Sequence, residues 1–295
     1  MNQMLRWIGI VLGGLVGLIV IALLAVYAIT GARLSRTYQV TPEAVAVPGD
    51  AAAVERGRHL VEAVAGCAGC HGENLAGGVV IDNPPIGTVY SANLTSGRGG
   101  RGGTLTDADY VRAIRHGVRP DGKPMLIMPT NEYYLLSDKD LGAIIAYVKS
   151  VPPVDNEVPI PAIGPLGRVL FLAGALPPLP AEVIDHAGPR PTAPEVGVTA
   201  EYGGYLATFC QGCHGPDFTG GPLPGAPPDA PPAANLTPGG ELIGWSEADF
   251  INTLRTGVAP SGRRLDESMP WREFGRMTDD ELGAIWLYLQ SLPAK

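Results

Sequence analysis

The sequence has 295 residues with 40 glycines, 29 prolines and only 6% aromatic residues, and its formal net charge is −8. This length and composition predict two small, loop-rich domains with connecting segments, and not one large regular core. The acidic balance argues against nucleic acid as a partner, because no excess of Lys and Arg is present to neutralise phosphates.

The first element of the chain is an apolar stretch. No charged residue occurs in the 26 residues from Trp7 to Ala32, which would span about 39 Å as a helix. A cleaved signal peptide is the alternative, but its apolar core has only about 7–15 residues. We therefore predict an N-terminal transmembrane anchor over residues 1–36.

All four cysteines occur in two copies of one motif, Cys67-Ala-Gly-Cys70-His71 and Cys210-Gln-Gly-Cys213-His214. Zinc sites, disulfides and redox dithiols also use closely spaced cysteines. Zinc would need further paired ligands, whereas the other histidines are scattered, and a dithiol needs no histidine directly after it. Two thiols one turn apart can reach both vinyl groups of a porphyrin while the histidine reaches the iron. The motif therefore predicts covalent haem attachment in both copies.

The two motifs belong to an internal repeat with an offset of 141 to 143 residues, in which Asn93-Leu94-Thr95 matches Asn235-Leu236-Thr237. Each copy predicts a helix before the cysteines, at about 52–64 and 199–209, and a closing helix. The closing helices begin at Ser137 and Thr278 with capping-box spacing and end before proline. The repeat predicts an all-α fold with two tandem domains, at 45–152 and 198–295, joined by a proline-rich linker at 153–197.

Met128 and Met269 are the candidate second ligands to the two irons. Each precedes proline at a matching position of the repeat, in a stretch without an apolar stripe. A thioether at such a place can bind haem iron opposite histidine, although methionine also fills gaps in hydrophobic cores. Met125 is the rival in the first copy, but it has no counterpart in the second.

The linker contains eleven prolines between Val151 and Val198, together with an apolar run from Leu166 to Leu176. This run is too short to cross a bilayer. It could lie along a membrane or bind a partner. We expect it instead to pack over the joint between the two domains. His186, further along the linker, is expected at the surface.

Taken together, these residues resemble class I cytochromes c, with a helix, Cys-x-x-Cys-His, an Asn-Leu-Thr loop, a Met-Pro ligand and a closing helix. The chain is most similar to cytochrome c subunits of periplasmic or membrane-bound dehydrogenases, over roughly 50–152 and 198–293. The resemblance implies two covalently bound haem c groups, with His71 and His214 as iron ligands. It also implies an N-terminus inside the cytoplasmic membrane and haem domains on its outer, periplasmic side.

Histidine and methionine together would fill both axial positions of each iron, so that no site remains for a substrate. This predicts an electron-transfer protein without catalytic residues, which relays electrons between a dehydrogenase or quinol-oxidising complex and a terminal acceptor. The alternative is a dihaem redox enzyme, such as a peroxidase or a thiosulfate-oxidising cytochrome, which would need one distinctive iron. A structural subunit of a larger membrane complex is a third reading.

Overall fold

The computed structural model describes residues 3–190, 192–223, 225–227 and 229–295. Helix α1 (Gln3–Ser35) stands apart from the rest of the chain over most of its length. It is the one described helix that is long and apolar enough to cross a membrane. Nearly all of its apolar side chains from Met4 to Ile29 are exposed, whereas Thr30 near its end is fully buried.

The first domain packs its opening helix against its closing helix. Its elements are α2 (Ala51–His59), a π-helical turn (Leu60–Val64), α3 (Cys67–His71), β1 (Gly78–Asn83), β2 (Gly87–Ser91), α4 (Asp107–His116), α5 (Thr130–Tyr133) and α6 (Asp138–Ser150). Asp50 caps α2 by accepting from the Ala53 N–H. The two helices touch at Gly57, where any Cβ would collide with the carbonyl oxygen of Ala143, so this close approach requires glycine.

The linker contains more secondary structure than its proline content predicts. Its elements are β3 (Ala162–Ile163), α7 (Pro165–Leu172) and α8 (Pro180–Val183). Strand β3 pairs with β2, which also pairs with β1, and a small antiparallel sheet results. This sheet is an addition to the predicted all-α fold.

The apolar run of the linker reaches the joint between the domains only at its end, where Leu176 lies beside Gly225 of the second domain. The expected packing between the domains does not hold for the rest of the run. Helix α7 lies against the end of α1 instead, where the Arg168 guanidinium donates to Thr30 Oγ1 at 2.7 Å. The Arg33 guanidinium carbon in turn lies 4.1 Å from the centre of the Phe171 ring. Arg33 at the end of α1 stacks on Phe171 of α7, and Arg168 of α7 stacks on Tyr27 of α1, so these two arginines join the helices.

The second domain repeats the first. Its elements are α9 (Ala200–Ala207), a 3₁₀ turn (Thr208–Cys210), α10 (Gln211–His214), α11 (Glu247–Thr256), α12 (Trp271–Phe274) and α13 (Asp279–Ser291). Gly203 meets the Ala284 carbonyl as Gly57 meets that of Ala143. Ten positions separate Gly57 from Cys67, but only seven separate Gly203 from Cys210. The longer connection contains the π-helical turn, whose wider backbone takes up part of the additional length.

Both closing helices begin at the predicted residues, but their caps differ. Thr278 accepts from the Glu281 N–H, and the Glu281 carboxylate accepts from the Thr278 N–H, which completes the predicted capping box. Ser137 likewise accepts from the Asp140 N–H. The Ser137 N–H, however, donates to the hydroxyl of Tyr205 at 3.1 Å. A residue of the second domain therefore completes the cap of the first.

Candidate haem sites

A cavity opens in the second domain, and it brings the predicted site residues of that domain together. Cys210, Cys213 and His214 line it, and so does Met269. Most of the remaining lining is apolar, with side chains that include Leu236, Leu242, Trp245, Phe250, Leu254 and Phe274. An apolar lining with a few convergent polar groups is typical of a cofactor site, and this lining suits a large, flat, apolar group such as haem.

The two motif histidines are held in the same way. His71 Nδ1 lies 2.9 Å from the Ala92 carbonyl oxygen, and His214 Nδ1 lies 2.7 Å from that of Ala234. A carbonyl only accepts, so each Nδ1 carries the proton and each Nε2 keeps a free lone pair. Burial lowers the pKa of both imidazoles, although these hydrogen bonds oppose the shift. The neutral form, which binds a metal, is therefore favoured.

The repeated Asn-Leu-Thr motif fixes the chain directly after those two carbonyls. Asn93 Oδ1 accepts from the Thr95 N–H at 2.9 Å, and Asn235 Oδ1 accepts from the Thr237 N–H at 2.9 Å. Such side-chain turns are a common use of asparagine. The sequence showed the repetition of this motif, and the structure shows that it positions the acceptors of the histidines.

The cysteines do not have the properties of a redox dithiol. None of the four is in a disulfide, and burial raises the pKa of Cys67 and of Cys210 to about 12. Reactive dithiols have a lowered thiol pKa instead. Zinc is also disfavoured, since the described residues include no cluster of three His, Cys, Asp or Glu side chains that could hold a metal.

The two predicted methionine ligands occupy matching backbone positions. Pro129 and Pro270 precede α5 and α12 with φ and ψ of −76° and 58°, and of −77° and 53°. The next N–H donates back to the methionine carbonyl at 2.8 Å in both domains. Met128 and Met269 both pack against the hydrophobic core, and Met269 also lines the cavity that His214 lines.

Each Cys-x-x-Cys-His motif lies against the short helix that follows the methionine of the other domain. The Glu132 carboxylate, on α5, contacts Gly212 between the second pair of cysteines. On the other side, a Cβ at Gly69 would lie 3.8 Å from Glu273 Oε1 of α12. Burial raises the pKa of Glu132 to about 7. The sequence did not predict these contacts between the domains, although Glu132 and Glu273 are separated by the spacing of the repeat.

A polar cluster joins the domains beside the motifs. Arg56 Nε lies 3.1 Å from Asp140 Oδ1, and Arg56 Nη1 lies 3.3 Å from Glu281 Oε1. The guanidinium of this one residue thus binds an early carboxylate of both closing helices. Asp140 and Glu281 are also almost completely buried. The domains therefore share one polar core at their boundary.

Comparison with known families agrees with this geometry. Residues 52–148 match the family model described as cytochrome C oxidase, cbb3-type, subunit III, and residues 201–293 match the one described as cytochrome c. The chain therefore carries two cytochrome c domains, and with its two haem-attachment motifs it is a dihaem c-type cytochrome. The predicted fold and the two covalently bound haem c groups are confirmed, with the small sheet as an addition.

Curated relatives carry more specific names. The chain is 32% identical to the alcohol dehydrogenase (quinone) cytochrome c subunit of Gluconacetobacter polyoxogenes, over 86% of this chain and 58% of that protein. It is 30% identical to the fructose dehydrogenase cytochrome subunit of Gluconobacter japonicus, over 82% and 53%. It is 31% identical to the gluconate 2-dehydrogenase cytochrome c subunit of Pantoea cypripedii, over 83% and 60%. The chain spans little more than half the length of these relatives.

Proposed function

We propose that this protein is a membrane-anchored electron carrier that accepts electrons from a dehydrogenase or a quinol-oxidising complex and passes them to a terminal acceptor. The names of its relatives support a dehydrogenase as the partner. Helix α1 would anchor the chain in the cytoplasmic membrane, with the N-terminus inside. The haem domains would then lie on the outer side, where haem is attached to such cysteines.

We infer that His71 and Met128 hold one iron and that His214 and Met269 hold the other. Haem c supplies one-electron exchange when it is bound. The protein supplies two fixed ligands and an apolar lining, so the ligands would be the same in both oxidation states. If a histidine and a methionine hold each iron, neither site would leave a position for a substrate, and the chain itself would not be catalytic.

The observation that carries this proposal is the position of both haem-attachment motifs at the domain boundary. Each motif contacts α5 or α12 of the other domain, and Tyr133 and Phe209 pack across the same boundary with ring centres 6.1 Å apart. Electrons could therefore pass from one domain to the other inside the protein. A donor and an acceptor can then bind to different domains without competing for one surface.

A dihaem peroxidase or a thiosulfate-oxidising cytochrome is less well supported. Such an enzyme needs one iron that differs from the other in its ligands. The backbone around Met128 and Met269 is nearly the same in the two domains, so the backbone gives neither iron a different ligand position.

The test is spectroscopy on the full-length protein purified in mild detergent. We expect two low-spin haems at pH 7 with the weak near-infrared absorption of methionine ligation. Both should be reduced by the copurifying dehydrogenase when its substrate is added. A high-spin haem in the untreated protein would contradict the electron-carrier proposal and favour an enzyme.

A further inference from the structure

Helix α7 has two apolar faces, and the residues that the structure describes cover only one of them. Gly167 and Phe171 are buried against the first domain and α1. The other face is formed at helical spacing by Leu166, Val169, Leu170 and Ala173. Leu166 remains 46% exposed and Val169 remains 42% exposed. An uncovered stripe without charge is unusual for a helix that faces water.

The charged side chain of α7 points toward α1, whereas on a helix that faces water it would point toward the solvent. Arg168 is the only charged residue of this helix. Its guanidinium turns inward to Thr30 Oγ1, and its carbon lies 4.6 Å from the centre of the Tyr27 ring. A surface helix normally buries its apolar side chains and exposes its charges. Here the charge is inside and the leucine and valine side chains are outside, which suits an apolar surrounding.

The position of α7 along α1 indicates what that surrounding is. With 33 residues, α1 has a length of about 50 Å, whereas the hydrocarbon core of a bilayer is about 30 Å thick. The charge-free stretch of α1 ends at Ala32, and α7 contacts α1 at Tyr27, Thr30 and Arg33. Helix α7 therefore lies where a membrane-crossing α1 would leave the hydrocarbon.

We propose that α7 lies in the interfacial layer of the outer leaflet, with Leu166, Val169 and Leu170 among the lipid acyl chains. The inference rests on the proposed membrane anchoring of α1 and adds a second point of attachment. Amphipathic helices bind membranes in this way, with their apolar face at the boundary of headgroups and acyl chains. Two attachment points, α1 and α7, would hold the first domain at a fixed tilt to the membrane.

The test uses single added cysteines in the full-length holoprotein, because haem occupies the four native ones. The variants are Val169→Cys on α7, Val196→Cys as a water-exposed control and Leu18→Cys in the middle of α1. Val196 is 74% exposed and lies in the linker. Each variant is placed in vesicles of phosphatidylcholine and phosphatidylglycerol. Its reaction rate is measured with a charged, membrane-impermeant maleimide and with a lipid-soluble one.

We expect Val169→Cys to react with the charged reagent at least about tenfold more slowly than Val196→Cys, because a thiolate is disfavoured in an apolar medium. The lipid-soluble reagent should still modify it, which shows that lipid and not protein shields the thiol. Equal rates at the two sites with the charged reagent, or protection of Val169→Cys from both reagents, would overturn the inference.

Leu18→Cys separates this inference from the proposed function. If this mid-helix site resists the charged reagent while Val169→Cys reacts freely, the anchor stands and the lipid contact of α7 is wrong. If Leu18→Cys also reacts freely, the anchor itself is wrong, and the inference about α7 fails with it.

Discussion

His59 and Tyr205 occupy equivalent points of the two domains, and each contacts a carboxylate of the other domain. His59 Nε2 lies 2.7 Å from Glu281 Oε2, and the Tyr205 hydroxyl donates to Asp140 Oδ2 at 2.7 Å. Each follows by two positions the glycine at which the opening and closing helices touch. The boundary between the domains is thus symmetric in position but different in chemistry, and Arg56 lies between the two pairs.

Replacing Arg56 by alanine should weaken the joint between the domains. Asp140 and Glu281 would lose their shared cation, and removal of one partner from a fully buried pair costs about 3–5 kcal/mol. The Arg56 side chain is 24% exposed, so we expect a smaller loss of about 2–3 kcal/mol in the free energy of unfolding. Urea denaturation measures this value.

The control for Arg56→Ala is Arg276→Ala. Arg276 bonds to Glu73 across the same boundary at 2.7 Å, but the two side chains are 45% and 80% exposed. A surface pair of this kind contributes about 0–1 kcal/mol. Equal losses in the two variants would contradict the importance that we give to the buried cluster.

Met269→Ala should change the second haem without removing it. Loss of the thioether leaves His214 as the remaining predicted ligand, so we expect a high-spin signal for one of the two haems and a lower potential for that haem. Electron paramagnetic resonance and optical titration measure these changes. Met277→Leu is the matched control, since Met277 lines the same cavity and is buried. An unchanged spectrum in Met269→Ala would show that another group binds the iron.

Met128→Ala is the corresponding change in the first domain, where we expect the other haem to become high-spin for the same reason. Met125→Leu is its control, because Met125 is the rival ligand in this domain. If the spin state changes in Met125→Leu and stays low-spin in Met128→Ala, then Met125 is the ligand. Optical spectra of the two single variants decide between these outcomes.

Glu132 should make the potential of the second haem depend on pH. Its carboxylate touches Gly212 of the second motif, and burial raises its pKa to about 7. Above that pH a negative charge beside the motif would favour the oxidised iron, so the potential should fall as pH rises through about 7. We expect a change on the order of tens of millivolts, which a redox titration of each haem at several pH values measures.

Glu132→Gln should abolish that pH dependence and raise the potential of the second haem at pH 8. Glu273→Gln removes the corresponding negative charge beside the first motif, and it should raise the potential of the first haem instead. If both variants shift the same haem, the crossed arrangement of the two glutamates does not control the potentials.

Glu43 should protect the fold against acid. Burial alone would raise its pKa, but hydrogen bonds from its own backbone, from Arg115 and from His116 hold the pKa at about 2. The unfolded chain, with a pKa near 4.5, binds a proton first as the pH falls. Stability from this group is therefore complete above about pH 4.5 and is lost toward pH 2. Urea denaturation between these pH values should show a slope that is smaller in Glu43→Gln.

The control for Glu43→Gln is Glu201→Gln, which changes an exposed residue of α9. This variant should keep the pH slope of the original protein. A parallel slope in Glu43→Gln would show that other carboxylates dominate acid unfolding.

Local patterns in the sequence predicted the helices and the repeat well. The opening helices, both closing helices and the residues Ser137 and Thr278 at their starts lie where spacing and capping placed them. These features depend on neighbours within a few positions along the chain. The matching backbone at Met128 and Met269 also follows from a repeat that is visible in the sequence.

Contacts between distant segments were not predictable in the same way. The Tyr205 hydroxyl replaces half of a capping box at Ser137, 68 positions away. His186, expected as a lone surface residue, has its Nδ1 3.1 Å from that of the buried His116. Strand β3 has only two residues and forms because β2 offers an open edge. In each case the partner is set by how the domains and linker fold together, which local propensity does not encode.

The crossed glutamates have a consequence for engineering. Since Glu132 of α5 and Glu273 of α12 each lie beside the motif of the other domain, each motif takes part of its surroundings from outside its own domain. A chimera that exchanges the second domain for a foreign cytochrome would replace Glu273 as well, and so would alter the haem that was left in place. Grafting α12 of this protein into the foreign domain would restore Glu273 beside the first motif. In this molecule the unit of exchange is the pair of domains.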